Sequence, residues 1–165
     1  MKEPHLLLLN KNVVELRKQL AGVLSAKSAR AFDAEIIGNV VQLFRLGEEH
    51  YRFASSIHGS HWRQIVSRSY YAAYNVSKAI RLTVSGHYSQ EVKDHEKVGS
   101  LPDDFPNRNT YANKLGLLRD DRNLCDYDHT VTPADLSSTV ADTLKLVGVL
   151  VIDARKYLKT RKVRV

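Results

Sequence analysis

The chain has 165 residues, 43% of them hydrophobic, with 25 Lys and Arg against 18 Asp and Glu for a formal net charge of +7. That length and apolar content suit one domain with a true core, and they exclude wholesale disorder. The single cysteine excludes an internal disulfide framework and any multi-cysteine zinc site, and it predicts a reducing, cytoplasmic setting. The basic excess permits a polyanionic partner such as RNA without establishing one.

Taken in chain order, nearly every segment reads at helical period. The apolar run Leu6 to Leu9 is shorter than the ~7–15 residues of a secretory signal core, so no leader is expected. Val13, Leu16, Leu20 and Val23 are spaced three, four, three, which predicts a first helix, interrupted by the small polar stretch from Ser25 to Arg30. A second helix carries Val40, Phe44, Gly47, Tyr51 and Ala54 on one face and ends at His58-Gly59, with Ser60 as the expected N-cap of the third. The third helix has two apolar or small stripes, one from Trp62 through Ile65, Ser69, Ala72, Val76 and Ala79 to Thr83, the other from Val66 through Tyr70, Ala73, Ser77 and Ile80 to Val84. Two such stripes predict burial on two sides, in the middle of a bundle, with Gly86 as the stop.

From His87 to Asn107 the periodicity collapses, and Pro102 and Pro106 forbid a continuous helix. The connection exceeds the ~2–8 residues usual in bundles, which points to a functional or mobile segment, and Asp94 is expected to cap a short turn over His95 to Val98. Asn109 or Thr110 is expected to cap a fourth helix that runs to about Tyr127. A fifth opens at Thr132-Pro133-Ala134-Asp135, a hydroxyl cap followed by proline and an acid in the first turn, and its stripe runs from Leu136 through Val140, Leu144, Val147, Val151 and Ala154 to Leu158. The longest candidate span, Leu144 to Ile152, is closed by Asp153 and falls short of the ~18 residues of a membrane span, so no membrane is expected. The fold class is all-α, an up-and-down bundle of about five helices. One domain is expected over 1–165, with its core over about 30–160 and an N-terminal helical extension over 1–28.

The core stripe of the fourth helix reads Tyr111, Leu115, Leu118, Arg122, Cys125, so Arg122 stands where an apolar residue belongs. A buried guanidinium without a partner costs several kcal/mol, so an acid, an anion or a wet groove must compensate, and Asp126 is one turn away. Seven positions on lies His129. A histidine can move the proton of a ribose 2′-OH or a leaving 5′-oxygen near neutral pH, and an arginine can stabilise the charge building on phosphorane oxygens. That chemistry needs no metal and no cofactor. The competing reading is an Arg122–Asp126 ion pair with a solvated loop histidine.

The segment Arg122-Asn-Leu-Cys-Asp-Tyr-Asp-His129 resembles the signature of HEPN domains, an arginine, a polar residue (here Asn123) and a histidine after a gap of four to six. Ser67 to Ala79 is similar to that family's aromatic and alanine-rich core helix, and Asp94-His-Glu-Lys-Val98 resembles its short histidine-bearing segment. The resemblance covers roughly Ser60 to the end of the fifth helix. It implies a homodimer that joins two motifs in one composite groove, metal-independent endoribonuclease activity, and a toxin or defence role with a small nucleotidyltransferase as antitoxin. In those terms Arg122 and His129 are the catalytic pair, with Asn123, Asp126 and Tyr127 in support. Asp126-Tyr127-Asp128 also resembles the ending of a branch in which the histidine is often missing. The alternative is a non-catalytic helical interaction or RNA-binding module in which Arg122 is structural.

Tyr70 is expected to pack in the core, whereas Tyr71, Tyr74 and Lys78 lie on a more polar face and are candidates for RNA contact. His50, His58 and His61 lack carboxylates at ligand spacing and predict no metal site. His95 is expected to serve loop structure. The basic residues from Arg155 to Arg164 read equally well as a solvated terminus and as a phosphate-tracking arm.

Overall fold

The computed structural model describes residues 12–165; the Leu6 to Leu9 run and the first part of the expected extension lie outside the described residues. Those residues form an all-helical bundle of five α-helices without strands: α1 (Val13–Gln19), α2 (Ala26–Ser56), α3 (Trp62–Ser85), α4 (Arg108–Tyr127) and α5 (Val140–Thr160). Short 3₁₀ turns stand at Gly59–His61, Val92–Lys97 and Pro133–Asp135. No helix among the described residues is long and apolar enough to cross a membrane.

The two-striped helix is the hub. Sixteen of the 24 residues of α3 are buried, and α3 packs against α1, α2, α4 and α5. Its alanines and serines allow close approach. At Gly47 of α2 a Cβ would lie 2.7 Å from Val76 Cγ2 and 3.0 Å from the Ala72 carbonyl oxygen, so the α2–α3 contact needs hydrogen at that position. The two stripes are buried from Ile65 to Ala79 and from Val66 to Ile80, while Trp62 and Thr83 are half-buried and Val84 is exposed.

Several element boundaries differ from expectation for local reasons. The Ser25 side chain accepts from the Ser28 amide and starts α2 at Ala26, so the Ser25 to Arg30 stretch is the first turn of a helix, not a break. The first helix stops at Gln19, leaving Leu20 half-buried and Val23 exposed beyond it. Val13 nevertheless joins the core, and its amide donates to the Gly86 carbonyl at 3.1 Å. Gly86 adopts φ +63° as the end of α3, and a Cβ there would lie 2.4 Å from the Val14 nitrogen. Ser60 sits inside the 3₁₀ turn, and α3 starts after His61. The fourth helix begins at Arg108, behind Asn107 at φ 54°, rather than at Asn109 or Thr110.

The predicted start of the last helix is the clearest correction. Thr132 and Asp135 do form a reciprocal capping box, but it closes only the 3₁₀ turn Pro133–Asp135. The Ser137 amide then donates to the buried Asp121 carboxylate at 2.8 Å, which draws the chain out of helical register. Thr139 supplies the actual cap of α5 by accepting from the Asp142 amide. The basic tail is partly tied down: Arg155 pairs with Glu48 and donates to the Val165 carbonyl, Arg161 pairs with Asp104, and Val163 is buried.

Candidate active site

Two helices and the long connection converge on Arg122. On α4, Tyr111, Leu115, Leu118 and Cys125 are buried as the spacing predicts, but the buried residue between the last two is Asp121, and Arg122 flanks that line with its side chain 14% exposed. Its Nε lies 2.8 Å from Asp126 Oδ2, its Nη1 donates to Asn123 Oδ1 at 3.0 Å, and its Nη2 donates to the Tyr71 hydroxyl at 2.5 Å. The guanidinium carbon lies 5.2–5.6 Å from the ring centres of Tyr70, Tyr71 and Tyr127. Burial works against its charge, but the Tyr71 bond and Asp126 outweigh that and raise its pKa above the ordinary arginine value. Nε pairs with Asp126 by charge without a hydrogen bond, and among the described residues one N–H on each terminal nitrogen remains beyond these contacts.

Arg122 lines an open groove of about 560 Å³ together with Tyr70, His95, Glu96, Arg119, Asn123 and Tyr127. That volume falls within the ~300–1,000 Å³ typical of ligand sites. The Tyr127 ring is 76% exposed, and Arg119 pairs with Asp120 at 2.9 Å.

His95 is the residue that sequence reasoning missed here. Its place outside the signature suggests only a capping or loop role, yet it lines the groove, stacks on Tyr74 with ring centres 4.3 Å apart, and places Nδ1 2.6 Å from the Tyr70 hydroxyl. Burial, with the Arg122 charge second, holds its pKa below the usual histidine value. Its neighbour Asp94 does not cap the turn as expected but points into the bundle. There Asp94 accepts two bonds of 3.0 Å from Arg81 and one of 2.9 Å from the Tyr74 hydroxyl, with His87 Nε2 3.2 Å away. Burial alone would raise the Asp94 carboxyl, but the Arg81 bonds and charge, with Tyr74, hold it down at about 2. Tyr74, Lys78 and Arg81 are spaced four and three, which puts them on one face of α3, and the connection folds over that face.

Two of the expected RNA contacts therefore point inward. Tyr74 is 8% exposed and Lys78 6%, and Lys78 donates its ammonium to the Ser89 carbonyl. Neither presents a surface on which a base can stack. Tyr70 is buried, as expected, and Tyr71 is half-buried against Arg122.

His129 stands outside the lining of that groove. The helix ends at Tyr127 and Asp128 is extended, so His129 sits two residues beyond α4, exposed, and is not among the residues that line the Arg122 groove. Its loop is nonetheless firmly held. Arg63, in the first turn of α3, donates to the carbonyls of Cys125, Asp128, His129 and Val131 at 2.7–3.3 Å. A cation at a helix C-terminus also meets the negative end of the helix dipole. Asp128 adds a turn by accepting from the Thr130 amide and hydroxyl. Arg63→Ala leaves four carbonyls without this partner and is expected to lower stability by about 1–3 kcal/mol, read as a fall in Tm.

Comparison with protein-family models, with curated proteins and with solved structures finds no match to this chain.

Proposed function

We propose that the chain is a metal-independent endoribonuclease of HEPN type that acts as a homodimer. Arg122 holds the scissile phosphodiester and stabilises charge on the phosphorane oxygens, and His129 exchanges the proton of the 2′-OH or the leaving 5′-oxygen. The observation that carries the reading is the guanidinium itself: a charge beside the buried line of α4, held by Asp126, Asn123 and Tyr71, at the wall of a groove and with one further N–H on each terminal nitrogen. The exposed Tyr127 ring offers a nearby surface for a base. Because Arg122 and His129 do not line one groove within the chain, the catalytic pair forms across two copies in this reading. A small nucleotidyltransferase is the expected antitoxin if the protein acts as a toxin.

The test is incubation of purified protein with single-stranded RNA in EDTA. Wild type is expected to cleave and to sediment at twice the chain mass, whereas His129→Ala keeps the wild-type Tm and loses cleavage. Intact RNA with wild-type protein at all concentrations would remove the nuclease reading. A second reading, a non-catalytic RNA-binding or interaction module, is favoured by the same Asp126 and Tyr71 contacts, which satisfy much of Arg122 internally. It predicts that Arg122→Ala lowers Tm and that His129→Ala changes nothing.

A further inference from the structure

The histidine inside the groove is His95, and its hydrogen-bonding state follows from its neighbours. Tyr70 is fully buried, and among the described residues its hydroxyl has one bonding partner, His95 Nδ1 at 2.6 Å. A buried phenol O–H without an acceptor is costly, so the hydroxyl donates and Nδ1 accepts. A neutral imidazole whose Nδ1 accepts carries its proton on Nε2. The ring is also fixed in orientation, because Tyr74 stacks on it and Tyr74 is in turn bonded to Asp94, which Arg81 grips with two bonds. A chain of contacts from the bundle interior therefore sets which nitrogen of His95 carries hydrogen.

We infer that His95 is a further phosphate-holding residue of the groove, its Nε2–H donating to a non-bridging phosphate oxygen beside the two spare N–H groups of Arg122. This rests on the phosphodiester reading of the site and adds to it a donor from a separate element, the connection between α3 and α4. The role is that of a neutral donor, not of an acid or base. The groups facing His95 agree with neutrality. From α3 come Tyr70, Tyr71, Tyr74 and the Lys78 charge, from α4 Arg122, and from its own turn Asp94, which Arg81 already engages. Glu96 and Arg119 line the same groove with opposite charges. Desolvation and the nearby cations keep the imidazole uncharged at neutral pH.

The experiment measures binding of an all-deoxy single strand of about ten nucleotides, which offers phosphates but no 2′-OH and so cannot be cleaved by transphosphorylation. Wild type and His95→Gln, whose amide N–H replaces Nε2–H, are expected to bind within about threefold of each other, and His95→Ala about tenfold more weakly. Wild-type affinity is expected to stay flat between about pH 7 and 8 at fixed salt. An imidazole ¹⁵N spectrum of the unbound wild type is expected to show the Nε2–H form, a readout that survives even if a variant fails to fold. Equal binding by His95→Ala, affinity that climbs on acidification with the His95 titration, or the Nδ1–H form would each overturn the inference, and so would absence of wild-type binding. If the strand binds as expected while RNA stays uncut, the His95 assignment stands and the nuclease reading falls.

Discussion

Asp94→Ala is expected to lower folding stability by about 3–5 kcal/mol, because it leaves the Arg81 guanidinium buried without its counter-charge. The pair is 5% and 0% exposed at the side chains, and Arg81 Nε is already a buried donor without a bonding partner. Tyr74 loses its acceptor in the same variant, so the turn that carries His95 loosens as well. Thermal or denaturant unfolding measures the effect. Acid gives a second handle on this pair. The folded-state pKa of Asp94 is held at about 2, below its ordinary value of 3.8, so its stabilisation is complete above the unfolded value and lost as pH falls through the folded one. That difference corresponds to about 2 kcal/mol, withdrawn between roughly pH 4 and pH 2. Asp94→Asn is expected to flatten this limb of the stability–pH curve; an unchanged slope would mean that other carboxylates carry it.

Under the proposed nuclease function, Arg122→Ala is expected to reduce RNA cleavage by about 10²–10³-fold, the usual consequence of removing one preorganised donor to a developing oxyanion. The accompanying loss of stability is expected to be small, since Asp126 keeps 25% side-chain exposure and can be hydrated once unpaired. Arg122→Lys keeps the charge but not the fork that reaches Asn123 and Tyr71, and its rate is expected to lie nearer to alanine than to wild type. Single-turnover cleavage with Tm measured alongside separates the two readings of this residue. A large fall in Tm in a protein that never cleaved assigns Arg122 to scaffold.

The helices were legible because periodicity reports burial directly. The paired stripes of α3 predicted its central place, and the apolar register of α4 drew attention to Arg122, which flanks a buried line that also takes in the charged Asp121. Boundaries were less legible wherever a good local signal had a tertiary competitor. Thr132-Pro133-Ala134-Asp135 carries every mark of a helix start, but Asp121 sixteen residues earlier takes the Ser137 amide and postpones the helix to Val140. The site was read in half. Arg122 announces itself by breaking a pattern, whereas His95 and Asp94 lie in a connection that has no pattern to break. Only the packing of that connection over Tyr74, Lys78 and Arg81 gives them partners. Arg63 was illegible for a related reason: at the start of a helix a cation looks like solvated surface, and nothing nearby in sequence marks the four carbonyls that it collects.

Cys125 lies one residue before Asp126 on α4, 6% exposed, with its thiol pKa pushed up to about 11 mainly by burial. In the folded state such a sulfur is neither reachable nor ionised at neutral pH; when α4 separates from α3 it becomes reachable and its thiolate fraction rises. The chain thus carries a single chemical clock in the segment that holds Arg122. The rate at which a thiol reagent labels Cys125 measures how often that helix opens, and slower labelling in the presence of a single-stranded nucleic acid would report occupancy of the groove with no need for turnover.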